Sequence, residues 1–593
     1  MCGYAGFISK HGALGDRELG FLGDLDRMLF HRGPDEGGVQ CGKGYAVVHR
    51  RLSIIDVTHG QQPMLSSDGR VGIAYNGEIY NFRELRAGLE ARGRKFETDC
   101  DTELFLALYE EDGVDCFARL DGMFTAFIWD FRRSDDGDFY LVRDHLGIKP
   151  LYVYEDGGRF AFSSELTPLL RIPGAELAVD PVGLSAYLTY RYVVAPGTFF
   201  RNIRRVEAGT YVKISRGSAT SWRYWDLPLD ENALDIPEDE ASERLVELLR
   251  SSVAQQQMSD VPIGLLLSGG LDSSVIAALC ADIGVSMTSF SIGFPDLNEF
   301  AYAEEVATRF GLPHVSVETT PKEIAQRFER VVAAMDEPIA DPACFPLHIL
   351  CESIKRKVTV VLSGEGSDEM FAGYPQHTNT SRAQVANSEE LFRKFMELSW
   401  YFTGGKPLKV GVDPMRHSRQ KIYFDERSPL SGMLAFDQKT WLPENLMAKA
   451  DKILMSHSLE GRFPFLTPAL LEFSSALPDA YKLGGENGKS LLRRAFTPKL
   501  PASVIERRKM GFSVPVADLL KTMKPRVYEM IASQAPGPFA EYIDFAALRR
   551  DADDHYSGRR EQPLWLWTVL VMLQWQSAVF APAVQRERIV LPA

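Results

Sequence analysis

Two stretches of this chain carry residue types that could do chemistry, and they imply different reactions. In the first, Cys2 stands directly behind Met1. Removal of Met1, which a small second residue permits, leaves Cys2 with a free amine beside its thiol. A terminal amine is a base near neutral pH, and a thiolate is the competent sulfur nucleophile. In the second, Ser268-Gly269-Gly270-Leu271-Asp272-Ser273-Ser274 follows the apolar run 263–267 and precedes the alanine-rich run 275–279. That order reads as a buried parallel strand, a tight glycine turn and a helix. Backbone N–H groups and the positive end of the helix dipole then converge on one point, a place suited to phosphate oxygens. Gly-Lys-Ser/Thr does not follow, so no lysine reaches terminal phosphates as in a Walker loop. The plainer use of Asp272 is as a helix cap. Another apolar run, 358–362, ends in Ser363-Gly364-Glu365-Gly366-Ser367-Asp368-Glu369. Ligands of open α/β sheets bind at the carboxyl ends of strands, so these two loops are expected to face one site.

The elements that must position these residues change character along the chain. Downstream of Cys2 come His31-Arg32-Gly33-Pro34-Asp35, Arg50-Arg51-Leu52-Ser53-Ile54-Ile55-Asp56, Tyr75-Asn76-Gly77-Glu78, Asp101-Thr102-Glu103 and Arg143-Asp144-His145-Leu146-Gly147. Runs at 45–48, 71–74, 124–129 and 139–142 read as antiparallel strands, with a helix near 81–92. Residues 226–240 are polar and acidic with two prolines, which reads as a linker. An amphipathic helix is expected over 238–257. After it, a strand at 287–292 and a helix at 299–310 continue an alternating α/β pattern.

Composition sets limits. At 593 residues the chain predicts more than one domain. A net charge of −14 argues against non-specific nucleic-acid binding. Seven scattered cysteines without a CxxC fit neither a disulfide framework nor a zinc site, so a reducing cytoplasm is expected. No basic segment with a long apolar core opens the chain, and the run 564–575 is too short to span a bilayer. It reads as a buried helix, and no membrane partner is expected.

Met-Cys-Gly-Tyr-Ala-Gly-Phe, HRGPD, RLSIID, NGEIYN and RDHLGIKPLY together resemble the N-terminal-nucleophile glutamine amidotransferase domain. SGGLDSS resembles the pyrophosphate loop of ATP pyrophosphatases. With SGEGSDE, MDEPIADPA (335–343), LEGRFPFL (459–466), GKSLLRRAF (488–496) and RRKMGFSVP (507–515), nearly the whole chain resembles glutamine-hydrolysing asparagine synthetase. The resemblance implies an α+β sandwich of αββα type over residues 1–215. A linker at 216–237 and an α/β parallel-sheet ATP-pyrophosphatase domain over 238–593 follow. It implies Cys2 as nucleophile, with Asn76 and Gly77 stabilising the oxyanion. Arg51, Leu52, Ser53, Ile54, Ile55, Glu78 and Asp101, with Asn76 and Gly77, would bind glutamine. Leu266, Ser268, Gly269, Gly270, Asp272, Ser273, Ile292, Ser363 and Gly364 would bind ATP. Asp272 and Asp368 would hold magnesium, Glu365 would act near an aspartyl-adenylate and Lys489 would stabilise phosphate charge.

Glutamine, ATP and aspartate are the implied substrates, the cytoplasm the implied location, and a homodimer is left open. Departures from the family pattern are Gly461 at the small-residue position of LEGR and Thr467 in place of the aspartate after PFL. The second bears on whether the acceptor is aspartate or another carboxylic acid of a biosynthetic pathway. A glutamine-sensing scaffold with a decayed synthetase half is a different class, which intact Asp272, Glu365, Asp368 and Lys489 speak against.

Overall fold

The computed structural model of the protein describes residues 1–228, 234–383, 385–399, 409, 423–425, 427–484, 487–509, 511, 514–534 and 538–581. Of the motif at 507–515, positions 510, 512 and 513 lie outside the described residues, as do 229–233 of the expected linker.

Two six-stranded antiparallel sheets build the N-terminal part. In one, Cys2–Ser9 is central, flanked by Tyr45–Arg51 and Arg159–Ser163. In the other, Val71–Ile79 and Gly122–Asp130 are neighbours over their whole length. Alternation decides which side chains meet. Tyr4 and Ile8 point between the sheets and pack with Val47, Ala74, Phe127 and Phe162. The helix Asp16–Leu29 covers the outer face of the first sheet through Phe21, Leu22, Leu25 and Leu29. Phe82–Glu90 and Asp101–Asp112 cover the second. Helix, sheet, sheet, helix is the αββα order expected.

The C-terminal part is organised on a five-stranded sheet, all parallel, in the order His314–Glu318, Thr288–Gly293, Ile263–Leu266, Val360–Leu362, Glu460–Arg462. The expected amphipathic helix is Glu238–Gln255, burying Leu245, Leu249 and Val253. Near the C-terminus, Pro563–Trp575 is a helix buried along nearly its whole length. Among the described residues, no helix is long and apolar enough to cross a membrane.

Part of the stretch 216–237 is a strand. Ser218–Arg223 hairpins onto Thr210–Ser215 at the sheet edge. Its side chains are mostly exposed, so the apolar alternation that marks a half-buried strand is missing.

Candidate functional site

Cys2 opens the central strand of its sheet, so its position is set by pairing rather than by a loop. Its register partner is Arg51. The Cys2 backbone N–H donates to Asn76 Oδ1 at 2.9 Å, while Nδ2 of Asn76 is buried without a hydrogen-bond partner among the described residues. A buried amide donor without a partner is costly in a finished core and useful beside a developing oxyanion. Arg32 Nε donates to the Cys2 carbonyl at 3.0 Å. Burial pushes the Cys2 thiol up, against the pull of the N-terminal amine.

That amine belongs to Met1, which is itself buried. It lies 3.2 Å from Glu460 Oε2 and donates to the Leu52 carbonyl at 3.2 Å. Leu52 N–H returns a bond to the Met1 carbonyl at 2.8 Å, and Ser53 N–H donates to Asp35 at 2.8 Å. Ile54 accepts from the Asp260 N–H at 2.9 Å. Arg51 uses its fork on Glu36 at 3.0 Å and on the carbonyls of Ile55 and Asp56 at 3.0 and 2.8 Å. Asp101 accepts from the Tyr75 hydroxyl and Ile79 N–H. Glu78 meets Arg462 of the parallel sheet at 3.0 Å, and its Oε1 is buried without a hydrogen-bond partner among the described residues. Burial raises both acids, Glu78 further because Asp101 is near. Every residue expected at this site, Gly77 on the strand beside Asn76 included, lies in one neighbourhood around Met1 and Cys2.

The second neighbourhood is a cavity of about 340 Å³ at the carboxyl ends of the central parallel strands. Leu266, Ser268, Gly270, Asp272, Ser273, Ile292, Ser363, Gly364, Glu365, Asp368 and Lys489 all line it, and Gly269 sits in the same turn. The two loops do face one site. Asp272 does not cap its helix: Leu271–Asp282 has Gly270 as N-cap and no side-chain cap. Its carboxylate goes to Lys489, whose Nζ lies 2.6 Å from Asp272 Oδ1 and 2.7 Å from Asp368 Oδ1.

Four groups here were not assigned a role from sequence. Lys509 lies 2.7 Å from Asp368, and Lys449 stands 3.3 Å from Asp341 and 3.5 Å from Glu365. Gly373 is required because a Cβ there would fall 2.0 Å from Asp368 Oδ1 and 2.1 Å from Lys489 Cε. Asp341 and Lys509 fall within motifs already singled out, whereas nothing in the local sequence marks Lys449. The lysine pair holds the Asp368 carboxyl well below the carboxylate range. Burial raises Glu365, and it lifts Glu369 to about 8 with Asp368 beside it, where Tyr374 donates to Glu369 at 2.6 Å.

One helix serves both neighbourhoods. Ala448–Met455 sends Lys449 into the cavity, and Asp451, two positions on, binds Arg32 at 2.9 Å and Lys149 at 3.2 Å. The strand Glu460–Arg462 adds a second link, because Arg462 bonds Glu460 at 2.6 Å and Glu78 at 3.0 Å. Gly461 between them leaves room for Leu454 and Phe463. Thr467 is the N-cap of Pro468–Ala476, accepting from Leu470 N–H at 3.4 Å, and it does not line the cavity. Threonine and aspartate both cap helices, so this departure is a cap exchange.

An αββα sandwich whose first strand opens on a cysteine, fused to a parallel sheet with a charged strand-end cavity, is the plan of a two-site amidotransferase. Residues 1–225 match the glutamine amidotransferase domain family, and residues 244–577 match the asparagine synthase family. The chain is 31% identical to the glutamine-hydrolyzing asparagine synthetase 1 of Bacillus subtilis (strain 168), over 97% of this chain and 96% of that protein. It is 30% identical to asparagine synthetase 3 of the same strain over 86% of this chain and 87% of that protein. It is 30% identical to asparagine synthetase B of Escherichia coli (strain K12) over 86% and 82%, respectively. The protein belongs to the asparagine synthase family.

Proposed function

We propose that this protein hydrolyses glutamine at Cys2, passes the ammonia inward, and amidates aspartate through an aspartyl-adenylate, releasing AMP and pyrophosphate. The observation that carries the reading is the cavity in which Lys489 spans Asp272 and Asp368 beneath the glycine turn. Relatives named asparagine synthetase favour aspartate over another acid, and the capping role of Thr467 removes the main sequence argument for a changed acceptor.

In the first half-reaction the Cys2 thiolate adds to the glutamine side-chain amide carbon, with the freed amine of Cys2 taking the thiol proton and delivering it to the leaving ammonia. Asn76 Nδ2, buried without a partner among the described residues, and the Gly77 N–H would receive the oxyanion. Water then hydrolyses the thioester to glutamate. Met1 stands where the substrate ammonium would go: its amine already uses the acidic surroundings of Glu460, Glu78 and Asp101. Arg51, with the loop Leu52 to Ile55 behind it, would exchange its carbonyl contacts for the α-carboxylate.

In the second, an aspartate carboxylate oxygen attacks the α-phosphorus of ATP and pyrophosphate leaves. Ammonia adds to the acyl carbon, AMP departs, and Glu365, raised by burial, accepts a proton from the incoming nitrogen. Leu266, Ser268, Gly269, Gly270, Ser273, Ile292, Ser363 and Gly364 would hold the nucleotide. The oxygen donors Asp272 and Asp368 suit magnesium, a hard cation that supplies charge neutralisation on the phosphates when bound. Lys489 and Lys509 would turn from those carboxylates to phosphate oxygens. We place the functional division between the amidotransferase part, whose last strand ends at Arg223, and the synthetase part that begins with the helix at Glu238, in a cytoplasmic enzyme.

The test is to supply aspartate, glutamine, ATP and magnesium and to identify the products. Asparagine with one AMP per amide supports the reading. ADP, or amidation of another acid in preference to aspartate, contradicts it.

A further inference from the structure

Outside both sites, His348, Glu352 and His457 bring one ligand atom each within 4.8 Å of one another. His348 and Glu352 are one turn apart on the helix Cys344–Ile354, so they share a face. His457 sits in the turn after Ala448–Met455, its ring 4.3 Å from that of His348 and tilted by 75°. His348 is 1% exposed, and its Nδ1 has no hydrogen-bond partner among the described residues. The same holds for the buried Nε2 of His457.

The tautomer of His457 follows from its neighbours. Ser456 Oγ donates to the Ile453 carbonyl at 2.7 Å, so towards His457 Nδ1, 3.0 Å away, it can only accept. The ring proton therefore sits on Nδ1, and Nε2 is left as a bare lone pair. A metal-ligating histidine is held in this way, its far nitrogen donating to a fixed oxygen. Two buried ring nitrogens without partners among the described residues, on rings whose centres lie 4.3 Å apart, call for an occupant.

From this arrangement we infer a transition-metal site that takes a divalent ion of the zinc class on His348, His457 and Glu352. Two imidazoles and one carboxylate leave a fourth position to water and select zinc, cobalt or nickel over magnesium. The site is thereby chemically separate from the all-oxygen pair Asp272 and Asp368. Donors bound to a tetrahedral zinc stand about 3.3 Å apart, so the three side chains close by a rotamer-scale adjustment. Arg327, which donates to Glu352 Oε1, and Arg330, 3.8 Å from it, are the charges that face this carboxylate; Arg327 becomes its orienting partner. The ion joins two elements, each tied to a different site. Leu347 and Leu350 on the same helix line the strand-end cavity, while Ser458, next to His457, donates to the His31 carbonyl at 2.7 Å in the amidotransferase part. A metal here staples the floor of one site to the turn that docks on the other.

The full chain, stripped with a chelator, is titrated with cobalt(II) followed by visible absorption, and with zinc followed by metal content after dialysis against excess magnesium. One ion per chain should survive dialysis, with a cobalt d–d band lacking thiolate charge transfer, and zinc should raise the melting temperature. His457→Gln and Glu352→Gln should each weaken binding by on the order of tenfold or more. The Glu352 side chain is 33% exposed, so its variant tests the site without disturbing the core. A parent chain that keeps no ion, a thiolate-to-cobalt band, or a Glu352→Gln variant binding as tightly as the parent would each overturn the assignment.

Discussion

The two reaction centres carry the same device, an ammonium set between buried acids, and put it to opposite uses. Around Cys2 the ammonium is the chain's own terminus, held by Glu460 with Glu78 and Asp101 close behind, and the surroundings are closed. In the strand-end cavity the ammoniums are Lys489 and Lys509 on Asp272 and Asp368, around an open volume of about 340 Å³. A side chain can swing from carboxylate to phosphate and back, whereas a terminal residue must be removed. On the proposed function, the first centre would be switched on once, by removal of Met1, and the second would reset in every turnover. The difference also explains the thiol: with Met1 in place, burial dominates and the sulfur stays protonated.

The two centres separate most cleanly at Cys2. Cys2→Ala should cut glutamine-dependent synthesis by a factor on the order of a thousand or more while ammonia-dependent synthesis continues. A retained Met1 should act like that variant, because the amine beside the thiol is then missing. Loss of both activities in a folded variant would show that the centres do not divide the work.

Next in size is the link between them. Arg462 is fully buried against Glu78, Glu460 and two carbonyls, so Arg462→Met strands Glu78 and leaves Glu460 to the terminal amine alone. Breaking such a network costs about 3–5 kcal/mol. Urea unfolding of the variant should show that loss, with more glutamine hydrolysed per asparagine formed. A variant as stable as the parent would mean the network is not closed in solution. Asp272→Asn should then slow AMP formation about a hundredfold, as for one preorganised transition-state contact, and leave glutaminase activity alone. Equal rates would remove the carboxylate pair from the mechanism.

The smallest effect concerns Glu369, raised to about 8 by burial and by Asp368. Its ordinary value is 4.5, so the folded chain keeps a proton there that the unfolded chain gives up. The stability this brings is complete below the unfolded value and is lost as pH rises through about 8. Glu369→Gln keeps the shape and removes the titration. Its melting temperature should fall less than the parent's between about pH 5 and about pH 8.5. Parallel curves would show that Glu369 is ionised throughout.

The sequence was most readable where one local pattern carries one element. Val361 and Leu265 announce buried parallel strands, and the small residues after them announce the loops that meet at the cavity. The strand Ser218–Arg223 was missed because an exposed edge strand has no apolar alternation to read. For Asp272 the sequence offers a magnesium role by resemblance and a helix cap by local pattern, and the partner it actually holds, Lys489, is more than two hundred positions away. Lys449 was invisible for the same reason, its meaning residing in Asp341 and Glu365. Arg32 was legible as part of a motif, but its hold on Asp451 across the two halves was not. Local patterns expose strand ends and turns; charge pairs made across the fold do not leave a periodic trace.

On the proposed function, the acceptor is activated by adenylation in the cavity lined by Asp272 and Asp368. That activation is tested most directly by running the ammonia-dependent reaction with aspartate labelled with oxygen-18 in its carboxylates and locating the label by mass spectrometry. Attack of a carboxylate oxygen on the α-phosphorus, followed by displacement at carbon, leaves one labelled oxygen in AMP and none in pyrophosphate. Label in inorganic phosphate alongside ADP, or unlabelled AMP beside newly formed asparagine, would contradict the account.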